Sequence, residues 1–250
     1  AYSYFNNMNS SVAYIYGFLP TDFGRVSDAM MESATDNSVY TWENNSIYYI
    51  TNGIWSPLKR VDDGWGFWNG VRSANLFLEN FDPKVLERFQ YNEDYDEMIE
   101  KASKFSLEVR FLRAFYLFEL AKRYGDIPLI TRTYTQEEIN SVRKTSFADV
   151  IDFIAKECTE ITREGGLPED GVRGETGRVT KGAALALKSR ALLYAASDLH
   201  NPGRDLTKWE AAAKAAYEVI KMNKYQLPNV STDPLYSDLG GNEVLKSKQL

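Results

Sequence analysis

Residues 40–49 read YTWENNSIYY, which sets Tyr40, Trp42, Tyr48 and Tyr49 among Asn44, Asn45 and Ser46. Sugar rings present flat C–H faces that stack on Trp and Tyr, and their hydroxyls pair with amide, carboxylate and guanidinium groups. A solvent-facing loop of this composition therefore suits a carbohydrate. The same aromatics folded back onto the domain would be ordinary packing. Composition alone favours that second alternative.

Other chemistry has little support in the chain. His200 and Cys158 are the sole histidine and cysteine, so neither an internal disulfide nor a Cys/His metal cluster can be assembled. A Ser/His/Asp triad would have to use His200, which reads as a loop residue, and Cys158 reads as a half-buried helical thiol. No Gly-x-Ser-x-Gly elbow, Walker loop or Gly-x-Gly-x-x-Gly fingerprint occurs. The 35 acidic residues offer many carboxylate pairs, none of which stands out for glycoside hydrolysis. NEDYDE at 92–97 lacks the glycine and spacing of an EF-hand loop, and acids at a helix start favour the dipole anyway. A net charge of −6 argues against a nucleic-acid partner. No run approaches the ~18 apolar residues of a membrane span. Neither an enzyme nor a cofactor is expected.

The elements that must position the loop are helical. Phe5, Met8, Val12, Ile15 and Leu19 recur at helical spacing before Pro20. Residues 20–63 lose that period and read as a long loop region. Phe67, Val71, Ala74, Leu78 and Phe81 form the next stripe. Residues 94–124 give the strongest one: Met98, Ala102, Phe105, Val109, Leu112, Tyr116 and Leu120, with Gly125 as C-cap and Pro128 beyond it. IPLI at 127–130 reads as a short extended segment. Further helices are predicted over 146–162, capped by Ser146 with Asp149, and over the alanine-rich 180–197 and 207–222. Trp55, Trp65 and Trp68 lie beside these stripes and read as core, as do Tyr48 and Tyr49.

The fold class expected is all-α: helix hairpins of the tetratricopeptide (TPR) kind, with long loops and few short strands. The pairs would be 63–81 with 94–124 and 146–162 with 180–197, and 207–222 would open a third. Arg113-Ala114-Phe115-Tyr116 is echoed 77 positions later by Arg190-Ala191 and Tyr194, on the second helix of each pair. The chain begins AYSYFNN and stops without a closing element, so it reads as a piece of something longer.

Four blocks sharpen this reading. EVRFLRAFYLFELAKRYGDIPLI (108–130), GRVTKGAALALKSRALLYAAS (177–197), WEAAAKAAYEVIKMNKYQL (209–227) and WNGVRSANLFLE (68–79) resemble the motifs of the SusD/RagB family. That resemblance implies a TPR scaffold over 63–222 and a ligand surface in the loop region 20–62, with residues 1–250 as an N-terminal SusD-like domain. It also implies a bacterial outer-membrane lipoprotein at the cell surface, with its lipid anchor outside this chain. Such a protein captures glycans and passes them to a TonB-dependent outer-membrane transporter. In the starch-binding branch an early Arg, Trp and Asn shape the sugar platform. Arg25, Trp42 and Asn45 resemble that arrangement, with Tyr40 in place of a second tryptophan, a departure that puts starch itself in doubt. The alternatives are a TPR module that binds a protein partner and a binder of peptides or other nutrients.

Overall fold

A computed structural model of the chain describes residues 2–20, 25–26, 29–41, 46–56, 58, 64–170 and 176–225. It is all-α. The helices are α1 (Tyr2–Tyr16), α2 (Tyr48–Thr51), α3 (Phe67–Asn80), α4 (Tyr95–Tyr124), α5 (Gln136–Ile139), α6 (Phe147–Ile161), α7 (Lys181–Ala196) and α8 (Leu206–Lys221). Between α1 and α2, two short antiparallel strands pair, β1 (Arg25–Val26) with β2 (Ala29–Met30), and a 3₁₀ turn follows at Met31–Ala34. The chain divides into two compact units, Ala1–Glu157 and Cys158–Leu250.

The first unit is organised around α4. All seven residues of its predicted stripe are buried, but burial extends well beyond a stripe. From Phe111 to Ala121 every residue except Phe115 is buried, Arg113 and Glu119 included. A helix covered on all sides is a core helix. Its start carries Asp96 and Glu97 and its end Lys122 and Arg123, each sign matched to the dipole. Gly125 takes a positive φ of 68° and its N–H closes on the Ala121 carbonyl at 2.8 Å, which stops the helix.

α3 and α1 both pack on α4. Gly70 of α3 is what allows the first contact, because an added Cβ would sit 2.6 Å from the Tyr116 ring. Tyr116 is fully buried; its hydroxyl donates to the Ile15 carbonyl of α1 at 2.6 Å, and burial pushes its pKa well above the usual phenol range. The face of α3 that is covered comprises Gly70, Val71, Ala74, Asn75 and Phe77, so it is turned from the predicted stripe, and Phe67, Leu78 and Phe81 are half-buried. In α1 the expected Met8, Val12 and Ile15 are buried, while Leu19 lies past the helix end.

Ile127 bridges to Thr145, whose N–H donates to the Ile127 carbonyl at 2.8 Å, so IPLI does begin extended. Ser146 caps α6: its Oγ accepts from the Asp149 N–H at 3.1 Å and donates to the Asp149 carboxylate at 2.6 Å. Cys158 is in no disulfide and is fully buried rather than half-buried.

In the second unit α7 and α8 pack along each other, joined at the surface by Lys188 and Glu218 at 3.1 Å. Small residues make the approach close: Gly182, Ala184 and Ala191 are buried on α7, and Ala212 and Ala215 on α8. Thr180 caps α7 by accepting from the Ala183 N–H. Asp205 caps α8, accepting from the Thr207 N–H at 2.9 Å.

Candidate functional site

Of the four predicted ligand residues, Tyr40 is the one whose side chain is described. It is half-buried and follows the 3₁₀ turn at 31–34. That turn is tied by its own polar side chains: Thr35 Oγ1 donates to the Glu32 carbonyl at 2.7 Å and accepts from the Asn37 N–H at 3.2 Å. Arg25 stands in β1 opposite Met30. Trp42 and Asn45 lie outside the described residues.

Just beyond them the chain presents a tryptophan that sequence reasoning assigned to the core. Ile47 is fully buried and anchors α2, with Tyr48 and Tyr49 half-buried beside it. The helix lasts one turn, and Gly53 then reverses the chain with a φ of 67°. The N–H groups of Ile54 and Trp55 both donate to the Tyr49 carbonyl at 3.0 Å, which fixes the backbone there. The Trp55 side chain is left 61% exposed. A four-residue helix has no apolar face long enough to cover an indole, so a stripe count overestimates its burial. Asn52-Gly53 is the signal that a turn intervenes.

Trp65 was also read as core and is 54% exposed, in the turn that leads into α3, with its ring 5.5 Å from that of Tyr124. Trp68 is half-buried. The three aromatics line a cleft of about 590 Å³ together with Ile127, Pro128 and Ile130. Asp126 at its edge is already engaged, accepting from the Phe147 N–H at 2.8 Å.

Beneath these surfaces lies a buried polar network. Arg110 grips Glu157 with two bonds, Nε to Oε2 at 3.1 Å and Nη2 to Oε1 at 2.6 Å. Arg113 donates to the same carboxylate at 3.0 Å, to Asn75 Oδ1 at 2.9 Å and to the Thr131 carbonyl at 3.1 Å. Asn75 in turn donates to the carbonyls of Ile130 and Arg132. Glu108 accepts from the Tyr16 hydroxyl at 2.7 Å. Burial pushes the Glu157 carboxyl up, but the bonds and charge of Arg110, and then of Arg113, outweigh it and hold the group below its ordinary value. These bonds make the network a clamp among α3, α4, α6 and segment 130–132, although the buried Arg113 Nε finds no partner in it.

Residues 7–193 match a family described as SusD-like, starch-binding and associating with the outer membrane. The chain belongs to the SusD-like family. A curated SusD-like protein of Formosa agariphila is 22% identical over 219 residues, covering 85% of this chain and 37% of that protein. A SusD-like protein of Bacteroides fragilis has a crystal structure with a TM-score of 0.68 and 28% identity, covering 90% of this chain and 39% of the other. A SusD-like carbohydrate-binding protein of the same organism gives 0.66 and 26%, covering 92% and 42%. The chain thus spans about two fifths of the length of these relatives.

In this SusD-like chain the motif residues that carried the resemblance are scaffold. Arg110, Arg113 and Asn75 are engaged in the clamp, Glu108 accepts from Tyr16 of α1, and Thr180 is a cap. The echo between the two Arg-Ala motifs is partial: Ala114 and Ala191 are both fully buried on their helices, but the arginines differ. Arg113 is buried in the network, whereas Arg190 is exposed on α7.

Proposed function

We propose that the protein is a non-catalytic glycan-binding component of a bacterial outer-membrane uptake system, and that residues 20–62 form its ligand surface. One observation carries this reading: in a chain of this family, the loop region holds the backbone of Trp55 rigidly and leaves its indole open to solvent. A backbone already fixed lowers the conformational entropy lost when the ring stacks against a sugar. Asn52, Thr51 and Ser56 flank it with hydrogen-bonding groups. The carbohydrate-binding relative from Bacteroides fragilis supports the same ligand class.

In this reading Trp42, Asn45, Arg25 and Tyr40 are ligand contacts, and Trp55 joins them. Residues 1–250 act as the N-terminal SusD-like domain, with 63–222 as its helical scaffold. The full protein is lipid-anchored at the outer-membrane surface and delivers its glycan to a TonB-dependent transporter. A glycan array probed with the full-length protein tests this directly. Retention of a glycan, lost on Trp55→Ala, supports the reading; retention of peptides alone contradicts it.

The cleft at Trp65, Trp68 and Tyr124 favours a protein-binding role alongside the first, since exposed aromatics among aliphatic residues suit a protein partner. Substituting Trp65→Ala is expected to weaken transporter capture in a pulldown while leaving glycan retention intact.

A further inference from the structure

A second surface has the composition of a sugar site and lies apart from the loop region in sequence. It is a groove of about 760 Å³ between α1 and α3, lined by twelve described residues. Leu76 and Phe77 of α3 give it apolar lining. Asn7, Ser11, Ser73 and Asn80 stand around it, and Tyr14 forms one wall. Among the described lining residues none is charged, in a chain of which 26% is charged.

That absence selects a ligand class. An anion or a cation entering the groove would lose hydration without meeting an opposite charge, whereas a neutral polyol loses only hydrogen bonds that amides and hydroxyls replace. The groups on hand retain capacity. Asn80 Nδ2 donates to the Leu76 carbonyl at 2.8 Å, which leaves its Oδ1 to accept from a hydroxyl. Ser11 Oγ donates to the Asn7 carbonyl at 2.8 Å and keeps its lone pairs. Tyr14 is 64% exposed, and its ring packs edge-on against Phe18 at 5.1 Å. An open ring beside amides and hydroxyls is a stacking face for a pyranose.

We propose that the α1–α3 groove is a second subsite for a neutral saccharide, with Tyr14 as its stacking face and Asn7, Ser11 and Asn80 as hydroxyl partners. The inference rests on the glycan reading above and adds a site that reading does not contain.

Methyl NMR on protein labelled at its methionines reads the groove directly, because Met8 lines it. Maltoheptaose, laminarihexaose and xylohexaose serve as neutral probes at millimolar concentration, with tetragalacturonate as the acidic control. The Met8 signal, assigned through Met8→Leu, is expected to shift with at least one neutral probe and not with the control. Tyr14→Ala should weaken that response about fivefold, with its melting curve as a check on folding. Trp55→Ala should leave the Met8 response intact. A Met8 signal that ignores all three neutral probes, or shifts equally in Tyr14→Ala, overturns the subsite. So does a shift that follows protein concentration without sugar, which would assign the groove to a second copy of the chain. Tryptophan fluorescence recorded in parallel separates the two claims. A response there with Met8 silent removes the groove alone, a Met8 response without it removes the loop site alone, and silence in both removes both.

Discussion

Arg113 and Glu157 meet at 3.0 Å with side chains only 9% and 10% exposed, and a second arginine, Arg110, closes on the same carboxylate from a more open position. Two cations on one buried anion leave a net positive charge; Asn75 and the Thr131 carbonyl accept from Arg113 Nη1, while its buried Nε has no partner. Removing one partner of such a pair strands the others. Arg113→Met should therefore destabilise the protein by about 3 kcal/mol, read as a lower urea midpoint. An unchanged midpoint would mean that the clamp contributes nothing net.

The same carboxylate predicts a dependence on pH. Glu157 has a lower pKa folded than its ordinary value of 4.5. Its contribution to stability is therefore complete above that value and is lost as pH falls through the lower, folded one. The urea midpoint should drop below pH 4.5 more steeply in the wild type than in Glu157→Gln. Parallel curves would show that other carboxylates control acid unfolding.

Gly70 and Gly182 should respond differently to alanine. At Gly70 the new methyl meets the Tyr116 ring, which is fully buried and tied to Ile15. Overpacking of this kind costs about 1–3 kcal/mol. At Gly182 the methyl meets the hydroxyl end of Tyr225, a half-exposed side chain that can swing away. There the better helix propensity of alanine, up to about 1 kcal/mol, offsets the displacement. Thermal melts should show a clear loss for Gly70→Ala and little change for Gly182→Ala.

Trp55→Ala removes an exposed ring from a backbone held by main-chain bonds to Tyr49. Stability should stay within about 0.5 kcal/mol of the wild type. Glycan affinity should fall about fivefold, the ~1 kcal/mol expected of one aromatic contact. Calorimetry on the full-length protein separates the two effects.

Helix positions were legible in the sequence because α4, α6 and α7 carry long periodic runs bounded by Gly125, Ser146 and Thr180, whose cap geometry is local chemistry. The burial of Arg113, Glu119 and Asn75 was not legible, since a hydropathy stripe assigns charged and amide groups to the outside. For Arg113 and Asn75 burial depends on partners far along the chain, Glu157 and the Ile130 carbonyl, whereas Glu119 is met on its own helix by Lys122 and Arg123. Trp55 and Trp65 were misassigned for the opposite reason. Large apolar rings were given to the core, although each sits in or after a turn too short to bury it. The α1–α3 groove needed the structure outright, because Tyr14 and Asn80 are brought together only by the packing of α1 on α3.

Affinity for a captured glycan, compared between the full-length protein and its Trp42→Ala and Trp55→Ala variants, tests the central claim most directly. The account predicts that the wild type retains a soluble polysaccharide in affinity electrophoresis and that each variant is retarded less, with unchanged melting curves. Equal retardation of all three would contradict it and move the ligand surface away from residues 20–62.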